Sequence, residues 1–299
     1  MRNASQILNF GSLNVDYVYK VNNIVKPGET VSSLSMQIYA GGKGANQSVA
    51  ASRAGARVHH AGRIGNDTDG QWMLGEMNSM NIDLSNVDIC DEVTGHAVIQ
   101  VDQNGENSIV LFGGTNQTLN KPFIDKVLSR YGPDTALMLQ NEVNELPYLI
   151  EQGLRRKMPI CFNPSPITKS IATLDLQDLA LIVVNEIEGE VLSGEKVPEK
   201  MIFQLRHRYP NSTLILTLGS RGSMALQPND SSLIEIKSQP CKCIDSTAAG
   251  DTFVGYVLAG LTRGDSLELS MQHASRAAEF CVGQSGAQSS IPLRSELNL

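Results

Sequence analysis

The stretch Asp245-Ser246-Thr247-Ala248-Ala249-Gly250-Asp251-Thr252-Phe253 joins small residues to a carboxylate and opens an apolar pattern at helical spacing, Phe253, Val254, Val257, Leu258 and Leu261. That order predicts a helix whose first amides face an anion. First-turn N–H groups have no intrahelical acceptor, and the macrodipole favours negative charge beside them. Ala248, Ala249 and Gly250 let the backbone come close to a ligand, because no large side chain intervenes. Asp251 then stands beside the anion, in place to accept a proton from a hydroxyl. An anion cradle with an adjacent carboxylate matches phosphoryl transfer to an alcohol. The alternative is an Asp-capped helix whose small residues serve packing.

A second cluster, Ala40-Gly41-Gly42-Lys43-Gly44-Ala45-Asn46-Gln47, precedes a helical pattern that ends near Ala54-Gly55. It is not a P-loop, because Gly44 follows Gly42-Lys43 where Ser or Thr is needed; nor is it the dinucleotide fingerprint, since Gln47 takes the place of the third glycine. Its glycines admit a small polar ligand, to which Lys43 and Asn46 offer donors and an acceptor. A Gly-rich turn entering a helix is the plainer reading. Asn14 and Asp16 follow the first strand, two apart and so on one face, where a carboxylate and an amide can take vicinal sugar hydroxyls; a capping or turn role is the alternative. Asn185 and Glu188 lie just after the apolar run Leu179–Val184. Hard oxygen ligands there suit hydrated Mg²⁺, which keeps several waters, and solvated acids at a helix start are the alternative.

The elements that must hold these residues are legible in outline. Ile7–Phe10 is a short apolar run and Val15–Val21 a less regular one. Thr94–Val101 and Ser108–Phe112 flank a segment whose Asn104-Gly105 pair signals a hairpin. In the later half, Ala136–Leu139, Ile160–Phe162, Leu179–Val184 and Thr213–Leu218 read as buried parallel strands, separated by amphipathic stretches such as Glu145–Lys157 and Pro198–Arg208. The rhythm predicts an α/β fold with a doubly wound, mainly parallel sheet and ligands outside the strand C-termini. No Pro-, Gly- or Ser-rich linker divides the chain. One domain over 1–299 is expected, with a small β excursion built from about 14–40 and 94–114.

Composition narrows the partners. The chain has 299 residues, 41% of them hydrophobic, enough for a large core; a net charge of −7 argues against a nucleic-acid or membrane-surface partner. Met1–Phe10 lacks the charged and apolar regions of a signal peptide, and no apolar run approaches membrane-spanning length, so a cytoplasmic location is expected. Cys90, Cys161, Cys241, Cys243 and Cys281 show no C-x-x-C spacing and read as reduced thiols rather than metal ligands. Cys241 and Cys243 fall in a β-like stretch that would place them on one face.

Together these residues resemble the ribokinase-like sugar kinases almost end to end. Asn14/Asp16, Gly41-Gly42-Lys43-Gly44-Ala45-Asn46, Glu142, Asn163-Pro164, Asn185-x-x-Glu188, Leu218–Gly222, Asp245–Phe253 and Gly286-Ala287-Gln288 stand in that family's order. The resemblance implies ATP-dependent phosphorylation of D-ribose at O5, with a small β-sheet lid that also pairs two copies into a homodimer. It implies that Asp251 is the general base and Ala248, Ala249 and Gly250, with Asp251, form the anion hole. Asn14, Asp16, Gly42, Lys43, Asn46 and Glu142 would hold the sugar. Asn185, Thr217, Gly219, Gly222 and Ser275 would border the nucleotide, with Asn185 and Glu188 organising Mg²⁺ through waters. A monovalent cation, K⁺, would be bound by the Asp245 and Ser290 side chains and by carbonyls of Thr247, Cys281, Gln284 and Gly286. A fructokinase or another sugar or nucleoside kinase of the same family is the neighbouring reading. A non-catalytic sugar-sensing protein is disfavoured by retention of Asp251, and a Rossmann oxidoreductase by the missing fingerprint.

Overall fold

Short apolar runs bounded by polar residues or glycine become strands in the computed structural model, which describes residues 4–299; residues 1–3, the start of the amino-terminal stretch read above, lie outside the described residues. In chain order the first elements are Gln6–Phe10 (β1), Asn14–Lys20 (β2), Ser35–Gly41 (β3), Lys43–Arg53 (α1), Val58–Gly65 (β4), Thr68–Asn78 (α2), Asp83–Cys90 (β5), Gly95–Val101 (β6) and Asn107–Phe112 (β7). Then follow Lys121–Leu128 (α3), Thr135–Gln140 (β8), Leu146–Arg155 (α4), Ile160–Asn163 (β9), Leu181–Asn185 (β10), Glu186–Ser193 (α5) and Pro198–Arg208 (α6). Thr213–Thr217 (β11), Ser223–Leu226 (β12), Ile234–Ile236 (β13), Ala249–Arg263 (α7) and Leu267–Val282 (α8) complete the chain.

The main sheet runs β13-β12-β11-β10-β9-β8-β1-β4-β5. All pairings from β11 to β5 are parallel, and β12 and β13 add an antiparallel margin. From β1 the chain winds first towards β4 and β5, then returns to β8 on the other side and continues outward. The order therefore reverses beside β1, and a crevice opens above the C-terminal ends of β1 and β8. Alternate residues of each strand feed opposite layers. Ile7, Met138 and Val183 pack with α1, α2, α7 and α8, whereas Leu8, Leu137 and Val184 pack with α3 to α6. The expected doubly wound sheet is present, and its buried strands read as nearly continuous apolar runs for this reason.

The early β excursion is a separate sheet of order β3-β2-β6-β7. Its β6–β7 hairpin closes through Asp102 to Glu106, with Gly105 at φ +82°. Register places Asp16 in line with Tyr39, Ala97 and Leu111, while Tyr17 aligns with Ile38, Val98 and Val110 on the opposite face. One expectation fails: Cys241 and Cys243 are exposed in a segment with no strand. The run Cys241-Lys242-Cys243-Ile244 has too few apolar positions to hold a buried strand, and β13 ends earlier, at Ile236. Among the described residues no helix is long and apolar enough to cross a membrane.

Helices α1 and α7 set the crevice wall. They touch at Gly255, where an added Cβ would lie 2.5 Å from Ala50 Cβ and 2.7 Å from the Ala51 nitrogen. Helix propensity alone would make Gly255→Ala stabilising by about 1 kcal/mol. Overpacking against this backbone costs about 1–3 kcal/mol and should win. Gly255→Ala is therefore expected to lower the urea midpoint with an unchanged m-value; a midpoint equal to or above that of the parent protein would show that α1 and α7 are not in tight contact there.

Candidate active site

Helix α7 begins without a side-chain cap. Its N-cap, Ala248, is held at φ +61°, a left-handed conformation that costs an L-residue roughly 1–2 kcal/mol. The alternative of an Asp-capped helix is thus not met: the Asp251 side chain bonds to α1 rather than to its own helix start. Its Oδ2 accepts from Asn46 Nδ2 at 3.0 Å and its Oδ1 from Gln47 Nε2 at 3.0 Å, both on α1. Asp251 is 7% exposed, so this carboxylate is paired rather than solvated. By position the amides of Gly250 and Asp251 have no intrahelical acceptor, and apart from its chain neighbours and the nearby backbone of its own helix no described atom lies within 4 Å of a Cβ built on Gly250. Space for an anion therefore opens at these amides.

The start of α1 is the other half of the wall. Gly42 takes φ +89°, which favours glycine, and lets Lys43 begin the helix against the loop after β1. Glu142 Oε2 accepts from the Lys43 backbone amide at 2.8 Å and from Ser12 Oγ at 2.5 Å. Asp16 packs against Gly41, where a Cβ would fall 2.0 Å from its Oδ2. Asn14 Oδ1 accepts from Asn116 Nδ2 at 2.7 Å. Asn14, Asp16, Gly42, Lys43, Asn46 and Glu142 thus converge beside Asp251 as expected. Asn46 Oδ1 is buried and lacks a partner among the described residues. Buried acceptors are rarely left so, and this one calls for a hydroxyl or N–H from a ligand.

Charges crowd this pocket. Burial, with Glu142 and then Asp251 nearby, pushes the Asp16 carboxyl up to about 7. Burial also raises Glu142 and Glu188, while the field of Asp251, opposed by burial and helped by Glu142 and Glu188, raises the Lys43 ammonium. A cluster rich in carboxylates around a lysine is suited to hydroxyl donors, which supply hydrogen bonds without adding charge.

Across the crevice, Asn185 ends β10 and pairs in register with Thr217, which ends β11. Gly219 and Gly222 follow in the turn before β12. Asn185 and Glu188 form a complete capping box: Asn185 Oδ1 accepts from the Glu188 amide at 2.9 Å, and Glu188 Oε2 from the Asn185 amide at 2.9 Å. The helix-start reading of this pair is therefore real, except that Glu188 is buried rather than solvated. Glu188 Oε1 also accepts from Asn185 Nδ2 at 3.0 Å, so both carboxylate oxygens are already engaged and the pair fits an ion held through waters better than one bound directly. Ser275 lies apart from these, buried in α8.

The expected cation residues are also brought together. Asp245 Oδ1 accepts from the Thr247 amide at 2.9 Å and Oδ2 from the Gly286 amide at 3.0 Å. Burial pushes this carboxyl up, but the bonds from Thr247 and Gly286 outweigh it and hold it below the usual value. Cys281 Sγ lies 3.0 Å from Ser290 Oγ and 3.5 Å from the Thr247 carbonyl, and the Gln284 amide donates to the Cys281 carbonyl at 3.0 Å. Among the described residues no group of three or more His, Cys, Asp and Glu side chains could hold a metal ion. A carboxylate among carbonyls and a hydroxyl instead suits a large monovalent ion.

Sequence reasoning gave no role to Ser12, Gln47, Asn116, Gln140 or Asn163, all buried polar residues in this wall. Asn116 closes on Leu13 through both its Oδ1 and Nδ2, joining the small sheet to the loop after β1. The signal available was Gly113-Gly114-Thr115-Asn116 directly after β7, a polar tight turn where the excursion rejoins the domain.

Known proteins resemble this chain over nearly its whole length. Residues 4–294 match the profile of the pfkB family carbohydrate kinases. A ribokinase of Haemophilus influenzae is 33% identical over 303 residues, covering 99% of this chain and 97% of that protein. The crystal structure of a ribokinase from Cryptococcus neoformans var. grubii in complex with ADP superposes with a TM-score of 0.86 at 35% identity, over 99% of both chains. An Arabidopsis thaliana ribokinase complexed with ribose and ATP gives a TM-score of 0.85 at 25% identity, over 99% of this chain and 98% of that one. The uncapped α7 start, the carboxylate clamped to α1 and the match over nearly its whole length together show that the chain belongs to the pfkB family of carbohydrate kinases.

Proposed function

We propose that this chain is an ATP-dependent kinase that phosphorylates D-ribose at O5, giving ribose 5-phosphate. The observation that carries the reading is the Asp251 carboxylate held by Asn46 and Gln47 at the open start of α7, in a chain that aligns with ribokinases over nearly all its length. Asn14, Asp16, Gly42, Lys43, Asn46 and Glu142 hold the sugar hydroxyls, and Asp251 takes the proton of the attacking one. Because such transition states are loose, Asp251 orients the hydroxyl at least as much as it activates it. The Gly250 and Asp251 amides receive charge that develops on the transferring group, whereas the Ala249 amide is bound to the Ser246 carbonyl at 3.3 Å and helps to shape the turn. Asn185, Thr217, Gly219, Gly222 and Ser275 border the nucleotide.

Asn185 and Glu188 would hold Mg²⁺ through waters; when bound, the ion supplies charge neutralisation on the phosphates. K⁺ would be held by Asp245, Ser290 and the carbonyls of Thr247, Cys281, Gln284 and Gly286, where it fixes the turn leading into α7. The small sheet acts as a lid over the sugar within a single domain. Its exposed Ile38, Val98 and Val110, on the face opposite Asp16, give a second copy apolar surface to cover and support a homodimer. Dependence on ATP supports a cytoplasmic setting.

A coupled ADP-release assay over pentoses, hexoses and adenosine tests the reading. Ribose should give the highest kcat/KM, and Asp251→Asn should lower turnover on it by about 10²–10⁴-fold with ATP binding kept. Fructose or adenosine ahead of ribose would move the chain elsewhere in the family, and an Asp251→Asn rate within threefold of the parent, on the order of the scatter of such assays, would remove the base assignment.

Sugar binding should also depend on pH through Asp16. The ionised form accepts from hydroxyls, so affinity is full above about 7 and falls as pH drops through that value. The KM for ribose should therefore rise towards acid pH, and Asp16→Asn should raise KM throughout and flatten the profile. A parent KM that does not change between about pH 6 and 8 contradicts this.

At saturating Mg²⁺ and matched ionic strength, K⁺ should raise kcat several-fold over Na⁺, and Asp245→Ala should abolish the difference. Equal rates in K⁺, Na⁺ and a large organic cation would leave Asp245 as a turn-former only.

A further inference from the structure

Beneath the sugar residues lies a set of buried side-chain amides that the proposed chemistry does not use. Asn9 on β1, Gln140 at the end of β8 and Asn163 at the end of β9 stand on adjacent parallel strands, with Gln140 and Asn163 in register. Gln47, on α1, reaches down to them and is 0% exposed. One Nε2 hydrogen of Gln47 goes to Asp251 Oδ1 at 3.0 Å and the other to Asn163 Oδ1 at 3.1 Å. Its Oε1 accepts from Gln140 Nε2 at 2.7 Å. Gln140 Nε2 also donates to Asn9 Oδ1 at 3.1 Å, and Asn9 Nδ2 donates to the Gly44 carbonyl at 2.7 Å and to Ser48 Oγ at 2.8 Å. Asn163 Nδ2 is committed to the Val183 carbonyl at 3.0 Å.

We infer that Gln47 is the positioning residue that sets the orientation of the Asp251 carboxylate, and that Gln140 and Asn163 fix Gln47 in turn. The inference rests on the reading of Asp251 as the base. The donor count decides the direction of every amide. Flipping Gln47 would aim its oxygen at a carboxylate oxygen and at Asn163 Oδ1, and its NH₂ at the NH₂ of Gln140. Flipping Gln140 would set its oxygen against Asn9 Oδ1 and Gln47 Oε1; in the observed direction its Oε1 is left buried without a partner among the described residues. That orphan is the lesser cost, since the alternative opposes two acceptor pairs. Gln47 therefore has one arrangement, and it is tied to strand ends at the centre of the main sheet.

Asn46 differs from Gln47 in this respect. It also donates to Asp251, but its Oδ1 is unpartnered and faces the sugar residues, so its contacts change when substrate binds. Gln47 has every donor and acceptor engaged within the protein and stays as the fixed reference. A displaced catalytic group on the order of 1 Å out of place can cost about 10²-fold in rate. Asp16, Lys43, Glu142 and Glu188 are the charged groups whose fields act with that of Asp251 in this pocket. None of them is a hydrogen-bond partner of Gln47, so their influence is common to the parent and to a Gln47 variant.

Gln47→Met keeps the length of the side chain and removes the donors. Its kcat should fall by about 10–100-fold with the sugar KM within about threefold. Gln140→Met, which touches neither Asp251 nor substrate, should show the same split in smaller measure. Circular dichroism and ATP affinity report folding independently. A Gln47→Met protein with a parental kcat overturns the inference, as does one whose sugar affinity falls as much as its kcat. If Gln47→Met does not fold, a Gln140→Met protein with a parental kcat overturns it instead. Asp251→Asn, run alongside, separates the two claims. Full activity in that variant sinks the base assignment itself, whereas an inactive Asp251→Asn beside a fully active Gln47→Met sinks only the role of Gln47.

Discussion

The structure depends on one buried carboxylate and the two amides that hold it. Asp251 opens α7, Asn46 and Gln47 lie in the first turns of α1, and their bonds join segments 205 and 204 residues apart. Removing a carboxylate from water without partners costs several kcal/mol or more, whereas a hydrogen bond to a charged group returns about 1.5–3 kcal/mol. Two such bonds, with the nearby Lys43, make burial of Asp251 tolerable while leaving its outer edge towards the sugar residues. They also require α1 and α7 to lie closely side by side, which the lack of a side chain at Gly255 permits. Site geometry and helix packing are therefore one constraint seen from two sides.

The winding of the chain explains why this place and no other is used. Reversal of strand order beside β1 leaves a gap at the C-terminal ends of the central strands, and Gln140 and Asn163 end β8 and β9 there while Asn9 precedes the last residue of β1. Two helices, α1 and α7, start above this gap with no cap from their own N-cap side chains; the first amides of α1 are taken by Glu142 and Ser12, whereas those of Gly250 and Asp251 on α7 stay open for a ligand. By contrast α2, α3 and α8 begin away from the crevice and are capped by Asp67, Asn120 and Ser266. The small sheet enters between β1 and α1 and carries Asn14 and Asp16 over the same gap.

How far the sequence showed this follows from the range of each interaction. The parallel strands were legible because burial on both faces leaves unbroken apolar runs such as that of β10, and the Asn104-Gly105 hairpin because its turn chemistry is local. Asp251, Lys43 and Asn46 could be singled out because they stand in runs of small residues that open helices, although each run also allowed a purely structural reading. Gln140 carries no such local mark, and the marks on Gln47 and Asn163, a glycine cluster and an Asn-Pro pair, say nothing of their partners. Their meaning arises from pairings such as Gln47 with Gln140, 93 residues away, which exist only once the sheet is formed. The Asn185–Glu188 spacing was legible as a polar pair, yet a capping box and a pair ordering waters look alike in sequence, and the structure shows that the capping is real. Cys241 and Cys243 misled because alternation over a few residues suggests a strand even where no apolar face exists to bury.

The most direct measurement of the central claim is a crystal structure of the complex with ribose and a non-hydrolysable ATP analogue. The account predicts ribose O5 within about 2.6–3.2 Å of an Asp251 carboxylate oxygen, with the opposite oxygen still bound to Gln47 and the terminal phosphate facing the start of α7. A different hydroxyl at Asp251, or an Asp251 side chain swung away from both α1 amides, would contradict it.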